Sequence, residues 1–117
     1  IAATRETFEE STIRVRQTDL TPVALVATHH GNAPHYRLHI FTATRWQGTP
    51  QDTVEMHNHR WISFEQLPLD QMRPSDRQWL PPVLAGETFH ADIYLDEGGG
   101  SVHEIKYRPM TFNSEFA

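Results

Sequence analysis

Two turn signals, Gly-Asn-Ala-Pro at 31–34 and Gly-Gly-Gly at 98–100, each lie between segments of alternating or continuous apolar residues. Glycine and asparagine reach the left-handed backbone conformations that tight reversals need, and the flanking runs have the β-branched and aromatic content of strands. "TPVALVATHH" therefore reads as a buried strand, followed across "HGNAPH" by a second in "YRLHIFTATR". "TFHADIYLDEGGGSVHEIKYR" reads as another hairpin, and "TIRVRQ" alternates strongly enough to predict a strand ahead of the first.

Helical signals occupy the remaining regular stretches. Residues 1–11 are rich in helix formers, as the back half of a helix would be. "RPSDRQWLPPVLAG" predicts a helix with Pro74 in its first turn and Gly86 as its stop, bent or restarted at Pro81-Pro82. Between them, "WQGTPQDTVEMHN" is a polar loop. Trp61 to Phe64 read as a short strand running into a helix capped by Ser63. The order is that of one mixed α/β domain over residues 1–117, with a tail at 109–117 that lacks periodicity and reads as mobile.

Composition narrows the function classes. A hydrophobic content of 38% with 21% charged residues suits a folded chain. No apolar run is long enough to span a bilayer, so no membrane partner is expected. The net charge of −5 opposes a nucleic-acid polymer as partner, because phosphate backbones are held by clustered Lys and Arg. Cysteine is absent, which excludes disulfides and thiolate metal sites and fits a cytoplasmic setting.

The chemistry concentrates in "RETFEES". Glu6, Glu9 and Glu10 have the i, i+3, i+4 spacing that puts side chains on one helix face, and Arg5 can pair with Glu9 one turn on. Carboxylates that close repel one another unless a cation gathers them or water screens them. Either a hard divalent cation or a solvated acidic face fits this pattern. Of the eight histidines, His57 and His59 in "HNH" could share a strand face, but without cysteine or a second cluster they do not make a zinc site. Trp46, Trp61 and Trp79 read as core or pocket-wall aromatics, and Arg73 and Arg77 as phosphate contacts or a solvated helix face.

"RETFEESTI" resembles the second half of the Nudix box: Arg5, Glu6, Glu9, Glu10 and Ile13 match, Thr7 stands at an aliphatic position, and Thr12 replaces the closing glycine. "HIF", "QGTP", "EM", "QLP", "WLP" and "FH" extend the resemblance to about residue 108, within the MutT-type Nudix branch. It implies a Nudix fold, a mixed β-sheet sandwiched between helices. The glycine and first glutamate of the box, and the strand before them, would precede Ile1, so the domain is expected to be N-terminally incomplete and the natural chain longer.

The resemblance also implies a function: hydrolysis of a nucleoside triphosphate to monophosphate and pyrophosphate with Mg²⁺ (or Mn²⁺), in the sense of nucleotide-pool sanitation. Glu9 and Glu10 match the paired metal-binding acids, Glu6 a third ligand or the group that orients water, Arg5 the residue that positions them, and Glu55 the later acid of the metal site. Asp76 and Trp79 match base-pocket residues. Arg73 and Ser75 replace a stacking tryptophan and a base-reading aspartate, while Ala27 and His29 stand where relatives carry phenylalanines. The oxidised-purine preference of the branch therefore transfers less well than its reaction. A non-catalytic nucleotide-binding module is the alternative, and the open sheet edge would suit a homodimer.

Overall fold

The computed structural model describes residues 2–31 and 33–110; Ile1, Asn32 and the expected mobile tail from 111 onward lie outside the described residues. Two α-helices, α1 (Ala2–Ser11) and α2 (Pro74–Leu84), accompany four strands: β1 (Thr21–His30), β2 (Ala33–Thr42), β3 (Phe89–Leu95) and β4 (Val102–Arg108). Short 3₁₀ turns occupy Gln17–Asp19, Phe64–Gln66 and Leu69–Gln71. The chain divides into two compact units, Ile1–Thr21 with Phe41–Gln66 and Pro22–Ile40 with Leu67–Ala117.

The second unit holds the body of the sheet, in the order β2-β1-β3-β4. Strands β1 and β3 are parallel, from Ala24 opposite Phe89 to His30 opposite Leu95, and β3 and β4 are antiparallel. Only two residues separate β1 from its neighbour β2, a connection that antiparallel strands alone can make. The sheet is thus mixed, as expected for an α/β domain. A central strand is covered on both faces and reads as an unbroken apolar run, which accounts for Val23, Ala24, Leu25 and Val26 all being buried.

Strand alternation and register put Ala24, Val26, Phe89, Ala91 and Ile93 on one face, where Val83 and Trp79 of α2 pack against them. Each large apolar side chain buried there contributes about 1.5–3 kcal/mol. Helix α2 runs unbroken through Pro81 and Pro82, so the expected restart does not occur. The prolines fall near the helix end, and the bonds beyond them still form, from Ala85 N to Pro81 O and from Glu87 N to Pro82 O. Pro82 cannot donate to the carbonyl of Gln78; the Tyr107 hydroxyl of β4 approaches that oxygen at 3.5 Å instead.

Three further expectations are corrected. "TIRVRQ" is not a strand: one antiparallel bridge, Arg14 with Gln47, forms before the turn-forming Gln17-Thr18-Asp19 winds into a 3₁₀ turn. Trp61 to Ser63 have no regular structure and Phe64–Gln66 is only a 3₁₀ turn, because Pro68 stops any continuation into a helix. Strand β2 begins at Ala33, earlier than "YRLHIFTATR" suggested, since Gly31 at φ +75° already turns the chain.

In the first unit, α1 has no buried residue. Thr7 Oγ1 donates to Ala3 O at 2.7 Å and Ser11 Oγ to Thr7 O at 2.6 Å, and Thr12 N closes the last turn on Phe8 O at 2.8 Å. Thr12, where the Nudix box has glycine, holds φ +66°. A β-branched residue is strained in this left-handed helix-terminating conformation. Its hydroxyl recovers part of the cost through a 3.3 Å bond to Thr49 O.

Thr12→Gly is therefore expected to stabilise the protein by about 1 kcal/mol, read as a raised denaturation midpoint. In the β3–β4 turn, the Ser101 hydroxyl bonds the Asp96 carboxylate and, with the Gly100 and Gly99 amides, holds its pKa below the usual 3.8. A depressed carboxylate contributes stability that is present above its unfolded-state pKa and disappears as the pH falls through its folded-state value. Asp96→Asn should therefore flatten that acid limb of the stability profile, measured by thermal melts across pH.

Candidate active site

Helix α1 presents Arg5, Glu6, Glu9 and Glu10 from consecutive turns. Arg5 Nη2 lies 3.6 Å from Glu6 Oε1 and Arg5 Nε lies 3.9 Å from Glu9 Oε1. The side chains are 65%, 57% and 45% exposed respectively, so these pairs contribute little stability and serve mainly to screen repulsion. Arg5 thus pairs with Glu9 as its spacing suggested, and with Glu6 as well, which the spacing did not suggest.

The loop that carries Glu55 is fastened to the same helix. The last four carbonyls of a helix lack intrahelical donors. That of Glu10 receives two, from His59 Nε2 at 2.7 Å and from Thr53 Oγ1 at 3.3 Å. Thr53 Oγ1 in turn accepts from Glu55 N at 3.2 Å and Met56 N at 3.1 Å, and Thr53 N bonds Met56 O. Asp52 Oδ1 accepts from Asn58 N at 3.0 Å and stands 3.8 Å from His59 Nδ1. Donation by His59 to a carbonyl requires the proton on Nε2. The loop therefore brings Glu55 into the unit of Glu6, Glu9 and Glu10 through backbone anchoring. Sequence reading assigned no role to Thr53 and weighed His59 only beside His57 as a metal-binding pair; neither reading pointed to the Glu10 carbonyl.

Carboxylates are the right donor type for a hard divalent cation. Placement is another matter: among the described residues no three His, Asp or Glu side chains gather as a group able to hold an ion. Glu6, Glu9, Glu10 and Glu55 as they stand do not form a metal centre.

The expected substrate-binding residues lie in the second unit and do not form one cluster. Trp79 Nε1 donates to Asp76 Oδ1 at 3.1 Å, one turn apart on α2, with Trp79 half-buried against the core. Ser75 is buried at the start of that helix, and exposed Arg73 is its N-cap, contributing a carbonyl to Arg77 N but no side-chain cap. His29 follows Thr28 on β1 and so points to the sheet face opposite the one that α2 covers. There its Nε2 meets Asp92 Oδ1 at 2.9 Å, and its ring stacks on Tyr94 with centroids 4.5 Å apart. Neither Asp92 nor Tyr94 stood out in the sequence, because the parallel β1–β3 register alone makes them neighbours of His29.

The NUDIX domain family model matches residues 1–83. The oxidized purine nucleoside triphosphate hydrolase of Mus musculus is 32% identical over 88 residues, covering 74% of this chain and 54% of that protein. The chain thus spans about half the length of this relative.

The fastening of the Glu55 loop has a direct test. Thr53→Val and His59→Ala should each cost about 1 kcal/mol in unfolding free energy. Both should also speed amide exchange across residues 52–58, whereas a loop ordered independently of the Glu10 carbonyl would show no such change.

Proposed function

This chain belongs to the Nudix family, and on that premise we propose that it hydrolyses a nucleoside triphosphate to the monophosphate and pyrophosphate, an oxidised or otherwise non-standard deoxynucleotide being its substrate. The observation that carries the reading is the acidic face of α1, with Arg5 bridging Glu6 and Glu9 and the loop of Glu55 tied to the Glu10 carbonyl. The relative from mouse is an oxidized purine nucleoside triphosphate hydrolase.

Nudix proteins generally use divalent metal ions, and the cofactor proposed for this one is Mg²⁺ or Mn²⁺. When bound, such an ion neutralises phosphate charge and activates water. The chain's own contribution is to concentrate negative charge on one helix face, with Glu6, Glu9, Glu10 and Glu55 as the proposed ligands. Arg5 is proposed to screen the repulsion between Glu6 and Glu9. On the second unit, Asp76 is the proposed reader of the base and Trp79 its positioning partner through the indole hydrogen bond. Arg73 and His29 are proposed to contact the nucleotide, Arg73 by charge or stacking and His29 through the ring that Asp92 orients. A cytoplasmic setting suits such a substrate. Among the described residues, no helix is long and apolar enough to cross a membrane.

One observation favours a second reading. The acids are not gathered as a metal-holding group among the described residues, which suits a module that binds nucleotide without cleaving it.

A nucleotide panel with Mg²⁺ separates the two. Hydrolysis should release pyrophosphate, and Glu9→Gln or Glu10→Gln should lower kcat by about a hundredfold or more, as loss of a metal ligand or charged catalytic group does. Saturable nucleotide binding with no pyrophosphate would establish the module instead, and turnover undiminished in both variants would remove the acids from the reaction.

A further inference from the structure

The net charge of −5 conceals a local reversal in the first unit. Arg14, Arg16 and Arg45 line one small cavity of about 200 Å³ together with Asp19, Trp46 and Gln47. Three guanidiniums against one carboxylate leave two net positive charges.

The backbone puts them there. Arg14 and Gln47 exchange both hydrogen bonds of an antiparallel bridge, Arg14 N to Gln47 O at 3.0 Å and Gln47 N to Arg14 O at 2.8 Å. Arg16 and Arg45 each lie two residues from this bridge, one on each segment, and both line the same cavity as Arg14. Like charges brought this close repel one another. Among the described residues, no ion pair satisfies Arg14, Arg16 or Arg45. Arg14 is held instead by the Phe8 ring, 4.1 Å beneath its guanidinium carbon. Phe8 lies about 160° round α1 from Glu6, so this cluster faces away from that acid.

Beside the arginines stand two exposed aromatics. Trp46 is 45% and Trp61 68% exposed, and their rings tilt together with centroids 5.3 Å apart. Both were expected to be core or pocket-wall residues; Trp46 lines this cavity, and neither is buried. A guanidinium offers a planar fork of donors that matches phosphate oxygens. The volume is below that of sites that enclose drug-sized molecules, so the group that fits is a phosphoryl or diphosphoryl moiety, with any attached ring left to the tryptophan surface.

We propose that Arg14, Arg16 and Arg45 form a phosphoanion-binding site that needs no metal and is separate from the acidic face of α1. The site is independent of the hydrolytic reading, because it stands or falls on binding with all divalent metal removed. A free diphosphate and the diphosphate of a nucleotide share the chemistry it recognises.

Calorimetric titration of the full chain with inorganic pyrophosphate, in EDTA and at low ionic strength, tests it. Saturable binding at one site is expected. Arg16→Gln/Arg45→Gln should weaken it by about tenfold or more. A merely structural role would make that variant less stable. Relief of repulsion should instead leave its melting temperature in anion-free buffer at or above the parent value, with the pyrophosphate-induced rise lost. Should the double glutamine variant fail to fold, Arg16→Lys/Arg45→Lys keeps the charge but removes the fork, and must still bind more weakly. A nucleoside diphosphate that binds more tightly than pyrophosphate identifies a nucleotide as the source, and equal affinity a free phosphoanion. No saturable binding by the parent, unchanged affinity in a folded variant, or tighter binding of a single-stranded oligonucleotide than of either small anion overturns the proposal.

Discussion

Like charges held close on a small frame cost free energy until an opposite charge gathers them, and the first unit concentrates charge of both signs in this way. Helix α1 collects Glu6, Glu9 and Glu10 against the single guanidinium of Arg5. The bridge between Arg14 and Gln47 collects three arginines against Asp19. Neither arrangement is explained by burial, since α1 has no buried residue and the arginines are exposed. The stability of a domain rests on its apolar core, so charge crowding at its surface contributes little to it.

The backbone makes such crowding tolerable. The Glu10 carbonyl, an unpaired acceptor at a helix end, takes donors from Thr53 and His59 and so determines where the Glu55 loop runs. Thr12 ends the helix in a conformation that its own side chain disfavours, and Thr49 offers it a compensating acceptor. In the second unit the corresponding work is done by packing. The parallel β1–β3 ladder buries an apolar face under α2 and leaves His29, Asp92 and Tyr94 together on the other. Rigid pairing there orients His29 in a way that an isolated surface histidine would not be.

Much of this was legible in the residues. The hairpin at Gly98–Gly100, the helix beginning at Pro74 and the helical face of RETFEES follow from local rules of turn chemistry, capping and periodicity, which need no knowledge of distant partners. Where reading failed, the deciding partner was remote or missing. "TIRVRQ" alternates like a strand, yet pairing depends on what lies alongside, and only Gln47 does so before the chain turns away. Trp61 and Phe64 read as the ends of a short strand, Trp61 also as a core or pocket-wall aromatic, but they form no strand and are 68% and 63% exposed. Pro81 and Pro82 read as a break because the rule for proline in helices omits a neighbouring strand whose tyrosine approaches the freed carbonyl.

The sequence by itself determined which groups could do chemistry: the acids of α1 by their spacing, the Nudix family by the residues around them, and the strands by their turns. Those properties are local, carried by residues within one or two helical turns or a single hairpin. Only the tertiary structure decided which groups meet. It set Asp92 beside His29, tied His59 to the Glu10 carbonyl, and brought Arg16 and Arg45 to one cavity. Each of these contacts joins residues roughly 30 to 60 positions apart, and a contact across that distance is set by strand register and helix termini, which no short window of sequence contains.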